Sequence, residues 1–396
     1  MRKNTVLISG ASIAGPALAY WLHRHGFAVT VVERAPGIRP GGHAVDIRGV
    51  AKDVCARMGI MPAITRARVH EEGFAWVDGT GRRTSEMPAT LAGGEGIVAE
   101  YEILRGDLAD ILHDLTKSDV EYRFGDRITA LADGADGVKV EFRSGRAEVY
   151  DLVVGADGVH SGVRGLAFGP EQQFIKQLGA YTAYFTMPAQ TDLDPHWFLM
   201  HGIPGGRCAG IRPENEHTAK AMLTFRSAGH VVDPRDVQAQ KRLLAQVYAG
   251  DGWRVPAMLD AMWDAPDFYF DVVGQVHMPH WTSGRVALLG DAGYCASPIS
   301  GLGTSLSLVG AYVLAGELAA AGGDHVPAFT AYEERMRGYV EQCQKLPPGG
   351  VGGMLPMSAA AIRLRDVSTR VMTRRPFSRL LRIQAGKADA ITLKAY

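Results

Sequence analysis

Three short stretches pair glycine with a carboxylate in a way that suits a nucleotide. Gly10-Ala11-Ser12-Ile13-Ala14-Gly15 follows directly on the apolar, β-branched run Thr5 to Ser9, and Pro16 opens a helical pattern behind it. Small residues at such a turn let backbone N–H groups approach a pyrophosphate at a helix N-terminus. Ser12 stands where the usual middle glycine would, small enough to keep the turn while tightening the space beside the phosphates. Glu33, closing the next apolar run, stands near the spacing at which a carboxylate accepts hydrogen bonds from a ribose. The second stretch is Ala156-Asp157-Gly158-Val159-His160-Ser161-Gly162-Val163-Arg164. The third is Gly290-Asp291-Ala292-Gly293, with Pro298 and Gly301-Leu302-Gly303 shortly after it. A strand-end Asp before a Gly-rich helix start can hold a sugar hydroxyl and face an anion. Taken singly, each is also ordinary turn chemistry.

These residues need strands and helices to place them. Thr5 to Ser9, Val29 to Val32, Asp151 to Gly155 and Val286 to Leu289 read as strands buried in a parallel sheet. Between the first two, Leu18, Trp21 and Leu22 form the apolar face of a helix that Gly26 stops. A further helix is expected to begin near Thr304. Length, 396 residues, allows two or three domains. Lys+Arg 42 against Asp+Glu 42 leaves no basic excess for neutralising phosphates, which argues against a nucleic-acid partner. Cys55, Cys208, Cys295 and Cys343 are far apart and form no CxxC pair, as suits a reducing compartment. The histidines show no H-x-x-H spacing, so no metal site is expected. The richest apolar run, Gly310 to Ala321, is short and interrupted by Glu317, so no membrane span is expected. Met1-Arg2-Lys3 before an apolar stretch imitates a secretory signal, but the first strand of a nucleotide unit explains it better. The expected location is cytoplasmic.

In this order the three stretches resemble the flavoprotein monooxygenases of the para-hydroxybenzoate hydroxylase type. The resemblance runs from Val6 to about Tyr332 and is strongest to the short members, which include tetracycline-inactivating monooxygenases and polyketide-tailoring hydroxylases. It implies an α/β chain: a Rossmann-like FAD-binding domain (1–69, 99–170 and 273–326), an interleaved, mostly antiparallel β-sheet substrate domain (70–98 and 171–272), and a C-terminal helical segment (327–396). It also implies extended FAD and transient NADPH or NADH. One oxygen atom from O2 would then pass, through a flavin C4a-hydroperoxide, into an aromatic or polyketide-like small molecule. Gly10, Ser12, Ile13, Ala14 and Gly15 match the phosphate turn, Glu33 the adenosine-ribose acid, and Arg34 the adenine side. Arg48 resembles the arginine near the FAD phosphates and is the candidate for gating the cofactor. Arg105, opening a helix whose apolar face is Leu104, Leu108, Ile111 and Leu115, resembles an FAD-contacting arginine. Asp157 and Arg164 match the second motif, and Arg164 and Arg39 are the NADPH candidates. Asp291 matches the acid on the ribityl or pyrophosphate side; Pro298, Gly301 and Gly303 match the loop passing the isoalloxazine. Ser305 and Tyr294 depart from the Asn and His of many relatives and put local flavin contacts in question.

The intervening segments alternate polar and apolar residues, as in Ala180 to Phe185 and Ala221 to Phe225, which suits an antiparallel sheet with one covered face. Tyr184, His201 and Phe225 attract notice there but are not assigned, and no catalytic side chain is assigned. The C-terminal region starts helically, Ala328 to Gln344, breaks at Pro347-Pro348-Gly349-Gly350, and resumes as a basic segment with Arg374, Arg375, Arg379 and Arg382. The resemblance makes it a long helix bracing the two domains, and the chain is too short for the thioredoxin-like domain of larger relatives. Baeyer–Villiger oxidation, epoxidation, or a flavin reductase or dehydrogenase without oxygen insertion remain alternatives. Substrate identity, choice of nicotinamide cofactor and oligomeric state (monomer or homodimer) are left open.

Overall fold

The structure, a computed structural model, describes residues 4–39, 41–92, 99–233, 235–347, 349–374 and 386–396. Residues 1–3 and, of the basic C-terminal arginines, Arg375, Arg379 and Arg382 lie outside the described residues.

The apolar run Thr5–Ser9 becomes the centre of a six-stranded sheet. On one side it pairs in parallel with Leu152–Gly155 and, through it, Val286–Leu288; on the other it pairs with Ala28–Glu33, then Glu121–Phe124. Only the two-residue edge strand Thr282–Ser283 is antiparallel. Val6, Leu7 and Ile8 are fully buried because the sheet is covered by helices and by a three-stranded antiparallel sheet, Ile128–Gly134, Gly137–Phe142 and Ala147–Tyr150, which is why the run shows no alternation. Helix Ala14–Arg24 packs on helix Gly303–Ala320, and helix His325–Gln344 covers the latter in turn. Gly303–Ala320 is long and apolar enough to cross a membrane by length and composition, but 78% of it is buried inside the molecule, where it forms the main interior helix. Glu317, the charge in that apolar stretch, is buried as an anchor. It accepts a hydrogen bond from Tyr396 Oη at 2.6 Å and pairs with Arg335 at 2.7 Å and Lys394 at 3.3 Å.

A second sheet of seven strands carries the alternating segments. Its order is Tyr269–Val276, Ile175–Pro188, Thr218–Arg226, Arg207–Pro213, Trp197–Ile203, Gly73–Val77, Arg83–Pro88, antiparallel except where Trp197–Ile203 meets Gly73–Val77. Period-two alternation sends Ala183, Phe185, Leu223 and Phe225 to an outer core beneath helices Val237–Val247 and Val255–Asp264. Their neighbours Thr182, Tyr184, Met222 and Thr224 face the nucleotide sheet across a cavity.

Two expectations change. Helix Arg105–Thr116 buries Leu108, Ala109 and Leu112, while Ile111 and Leu115 are half-buried, so the covered stripe is rotated by about a residue. The C-terminal brace is divided rather than one long helix. His325–Gln344 packs on the nucleotide domain, and the shorter Gly350–Met354 and Ala359–Met372 cross to the seven-stranded sheet. Pro347 and the glycines after it supply the break.

Tyr294 and Tyr332 show how the nucleotide core is pinned. Tyr294 Oη bonds Tyr332 Oη at 2.8 Å, and Tyr332 Oη donates to the Leu288 carbonyl at 3.0 Å, all buried. Tyr332→Phe leaves both partners short of a bond and is expected to cost about 1–3 kcal/mol. Urea denaturation with an unchanged m-value checks this, and an unaltered midpoint would refute it.

Candidate active site

One cavity of about 1910 Å³ lies between the two sheets. That exceeds the roughly 300–1,000 Å³ of a pocket for one drug-sized ligand, so a dinucleotide and a second molecule both have room.

Its nucleotide end is built from the first turn. Gly10 has φ +110°, and its N–H donates to the Val32 carbonyl at 2.8 Å, closing the turn against the sheet. A side chain on Gly10 would run into the Ala156 carbonyl, and one on Gly15 into the Gly10 carbonyl. Only glycine permits this packing. Helix Ala14–Arg24 then starts with no side-chain cap and no acidic residue in its first turn, and Ser12, Ile13 and Ala14 line the cavity. Its orphan N–H groups therefore face open space. Glu33 reaches the same wall, where its carboxylate accepts from Ala11 N–H and Ala35 N–H, both at 2.9 Å. Arg34 and Arg39 stand exposed at the rim.

The opposite wall is the loop before helix Gly303–Ala320. Ser297 sits at φ +80°, unusual for a side-chain-bearing residue, and Pro298, Gly301 and Gly303 carry the chain past the cavity. Strain of this kind collects where backbone is held for a ligand. The helix again begins without a side-chain cap or acidic residue. Ser305, the departure from Asn, is fully buried. It accepts from Arg48 N–H at 3.0 Å and is 3.3 Å from the Arg48 carbonyl, which ties this helix to the Asp46–Arg48 segment. Tyr294 points into the core rather than the cavity, where its hydroxyl meets that of Tyr332.

Arg48 is buried, not on a pliant surface loop. Its guanidinium bonds Asp46 Oδ2 at 2.8 and 3.0 Å, and both side chains line the cavity. Removing it would strand a partly buried carboxylate, so folding and cofactor effects arrive together. Arg105 differs. It opens helix Arg105–Thr116 at the cavity wall, its backbone N–H donating to the His43 carbonyl at 3.1 Å, while its guanidinium has no hydrogen bond or ion pair with a described residue. Burial and then Arg39 push its pKa down, while Tyr269, Asp291 and Glu33 act against them. Burial pushes the Asp291 carboxyl up, against a hydrogen bond with Cys295 and the Arg105 charge. An unpaired guanidinium on an enclosed wall calls for an anion.

The second motif lines the cavity through Asp157, Gly158 and His160. Asp157 spends its carboxylate on its own loop, accepting from Ser161 Oγ and from Val163 N–H at 3.1 Å. Arg164 is a correction: it is fully buried, absent from the cavity wall, and donates to the Ala292 carbonyl at 2.9 Å and the Val159 carbonyl at 2.5 Å. Bound to two carbonyls, it braces the Asp157 and Asp291 loops from inside the protein. Arg39 remains at the rim. His160 bridges domains instead, with Nδ1 3.0 Å from Glu171 and Nε2 3.1 Å from Asp271.

The far end of the cavity is roofed by the seven-stranded sheet. Tyr184 lies here, stacked on His43 at 4.9 Å, with Met222, Phe198 and Trp76. Burial, with Arg105, Arg212 and Lys220 nearby, lowers the His43 pKa to about 4, so its imidazole is neutral. His201 and Phe225 fall on the outer face, His201 against the Val77 carbonyl at 3.0 Å and Phe225 in the outer core. Sequence reasoning missed Asp46, His43, Glu71, Glu102 and Arg212. Two-residue alternation placing Arg212 and Lys220 on the Met222 face was the available signal.

The comparisons agree with this geometry. Residues 3–346 match the family model described as FAD binding domain. A flavin-dependent monooxygenase of Legionella longbeachae is 41% identical over 347 residues, covering 87% of this chain and 88% of its own. The FAD-dependent monooxygenase asL4 of Sarocladium schorii is 36% identical over 328 residues, covering 81% and 76%. The solved tetracycline destructase Tet(51) superposes with a TM-score of 0.84 at 37% identity, covering 100% of both chains. The chain belongs to the FAD-binding-domain family, and within it is a flavin-dependent monooxygenase that uses FAD with NAD(P)H as co-substrate.

Two predictions follow from the walls. Arg105→Gln removes a charge-assisted donor of about 1.5–3 kcal/mol, so FAD should bind about tenfold or more weakly by flavin-fluorescence titration, with unchanged circular dichroism. Equal affinity would remove Arg105 from the cofactor site. The second concerns His160, whose pKa rises from 6.5 to about 9, chiefly through its hydrogen bond to Asp271 and further through the charges of Asp271 and Glu171, against burial. A raised pKa means its stabilising contribution is complete below 6.5 and lost as pH climbs through about 9. The thermal midpoint of wild type should fall more than that of His160→Gln over this interval.

Proposed function

We propose that this chain hydroxylates an aromatic or polyketide-like small molecule bound beneath the seven-stranded sheet. The supporting observation is the division of one cavity into two unlike ends. One end has bare helix starts and an unpaired arginine; the other has aromatic and thioether walls. FAD fits the first end. The Gly10–Gly15 turn and the first helix would take the pyrophosphate, Glu33 the adenosine ribose, and Arg105 and Asp291 the middle of the molecule. Arg34 would lie along the adenine and Asp157 would fix the loop beside it. Gly301 and Gly303 would run along the isoalloxazine. When bound, the flavin supplies electron transfer from NAD(P)H and activation of O2. The protein's own residues orient and enclose. The uncapped start of helix Gly303–Ala320 favours negative charge on the ring's nearer edge, and Arg48, fixed by Asp46 and Ser305, holds the loop beside it.

Arg39 at the rim is the candidate for meeting the nicotinamide cofactor. The division into a nucleotide domain (1–69, 99–170, 273–326), a substrate domain (70–98, 171–272) and a C-terminal segment (327–396) follows the same logic. Four buried free thiols support a cytoplasmic setting, and the reading needs neither nucleic acid nor membrane, with the chain acting as monomer or homodimer.

The purified protein should be yellow, with about one FAD per chain. Planar phenols and polyketides that stimulate NADPH oxidation should gain one atom from labelled O2. Stimulated oxidation without label in any product would instead favour a reductase, and a colourless protein that takes up no FAD would overturn the proposal.

A further inference from the structure

A buried charge cluster stands at the substrate end, outside the groups assigned above to FAD. Strand Ala44–Asp46 pairs with Glu102–Leu104, which sets Asp46 directly opposite Glu102. Arg212 reaches in from the seven-stranded sheet, with Nη1 2.6 Å from Glu102 Oε1 and Nε 2.7 Å from Glu71 Oε1. The Glu102 and Glu71 side chains are 3% and 2% exposed. Glu102 lines the cavity, whereas Glu71 does not, and Glu102 Oε2 has no hydrogen-bond partner. With the Glu71 carboxyl hydrogen-bonded to the Glu102 carboxyl and no N–H donor on Glu102 Oε2, this deeply set oxygen can accept from a ligand in the cavity. Arg212 lies 4.6 Å over the Phe198 ring, and Phe198 shares the aromatic wall with Trp76 and Tyr184. Glu102 Oε2 is therefore presented next to a surface for a flat ring.

We propose that Glu102, backed by Glu71 and Arg212, accepts the hydroxyl proton of a phenolic or enolic substrate. The substrate O–H bond breaks, its electron pair stays on the substrate oxygen, and the proton joins Glu102 Oε2. Nothing is oxidised or reduced in this step. The Arg212 guanidinium then faces a neutral carboxyl and balances the new oxyanion, so local charge is conserved. The neighbours fit this role. Asp46, Glu71 and Glu102 outnumber the guanidiniums Arg48 and Arg212, while His43 beside Arg212 is neutral. Burial raises the Glu102 carboxyl well above the usual range, with Glu71 and Asp46 adding to it and Arg212 and Arg48 opposing; burial raises Glu71 as well. Two such carboxyls beside one guanidinium titrate as a coupled pair rather than singly. A base moved toward neutrality suits a weakly acidic hydroxyl.

The inference rests on the hydroxylase reading but is tested by binding, not turnover. The probes are 4-nitrophenol and its methyl ether, 4-nitroanisole, titrated calorimetrically into the FAD-loaded protein. Wild type should prefer the phenol by about tenfold or more, the size of one buried charge-assisted hydrogen bond. Glu102→Gln, which keeps shape and a neutral partner for Arg212, should abolish the preference and leave 4-nitroanisole binding unchanged. A wild type that binds both probes alike, or neither, overturns the assignment, as does a preference that survives Glu102→Gln. A merely structural role for Glu102 would weaken both probes together. A wild type without the preference that still incorporates labelled oxygen would remove Glu102 and leave the hydroxylase reading standing; a wild type with the preference but without incorporation would do the reverse.

Discussion

Unneutralised positive character inside one cavity is the constraint on which the architecture turns. Arg105 carries a full charge with no partner among the described residues, and two helices start bare toward the same space. Helix dipoles and a desolvated guanidinium pointed at one void are unfavourable until an anion arrives. The rest of the nucleotide domain keeps that field open. Gly10 and Gly15 bring backbone close enough to present N–H groups, and Arg164 and Ser305 lock the neighbouring loops from behind. Glu33, tied by two backbone N–H groups, is held at the edge instead of collapsing onto Arg105.

The same constraint explains why so much chain is spent joining the two sheets. A cavity closed between domains is only as well defined as their relative placement. Several independent ties set it here: His160 to Asp271, Arg212 to Glu102, and helix Ala359–Met372 against strand Arg83–Pro88, where Arg365 lies 3.1 Å over the Trp76 ring. These ties are polar or cation–π contacts, in contrast to the apolar packing inside each domain. Such contacts hold orientation while contributing modestly to stability, which suits an interface that must admit two ligands.

The nucleotide half was legible in the sequence for a physical reason. Its chemistry is done largely by backbone, and backbone demands show up as glycines at fixed offsets and uninterrupted apolar strands. Thr5–Ser9 has the bounds expected of it, and Ala28–Glu33 and Leu152–Gly155 differ by a residue at their ends. Arg164 was misread because a motif arginine can serve a ligand or brace the loop that serves it, and only the Ala292 and Val159 carbonyls separate the two. Arg48 lines the cavity, and nothing in Asp46-Ile47-Arg48 announces that its guanidinium is held by the carboxylate two residues back.

The substrate half was nearly silent because its function lies in side chains brought together from distant segments. Glu71 precedes one strand, Glu102 lies in a three-residue strand of the other domain, and Arg212 comes from a third place. Alternation tells which residues share a face, so Tyr184 could be suspected while Phe225 and His201 look no different on the page. It cannot tell which face is covered by helices and which by a cavity; the outer face was taken by Val237–Val247 and Val255–Asp264. A buried set of three carboxylates and two guanidiniums is a poor way to stabilise a fold, since apolar packing of equal volume commonly does as well or better. Its presence beside an aromatic wall is therefore better explained by what must bind there than by what holds the chain together.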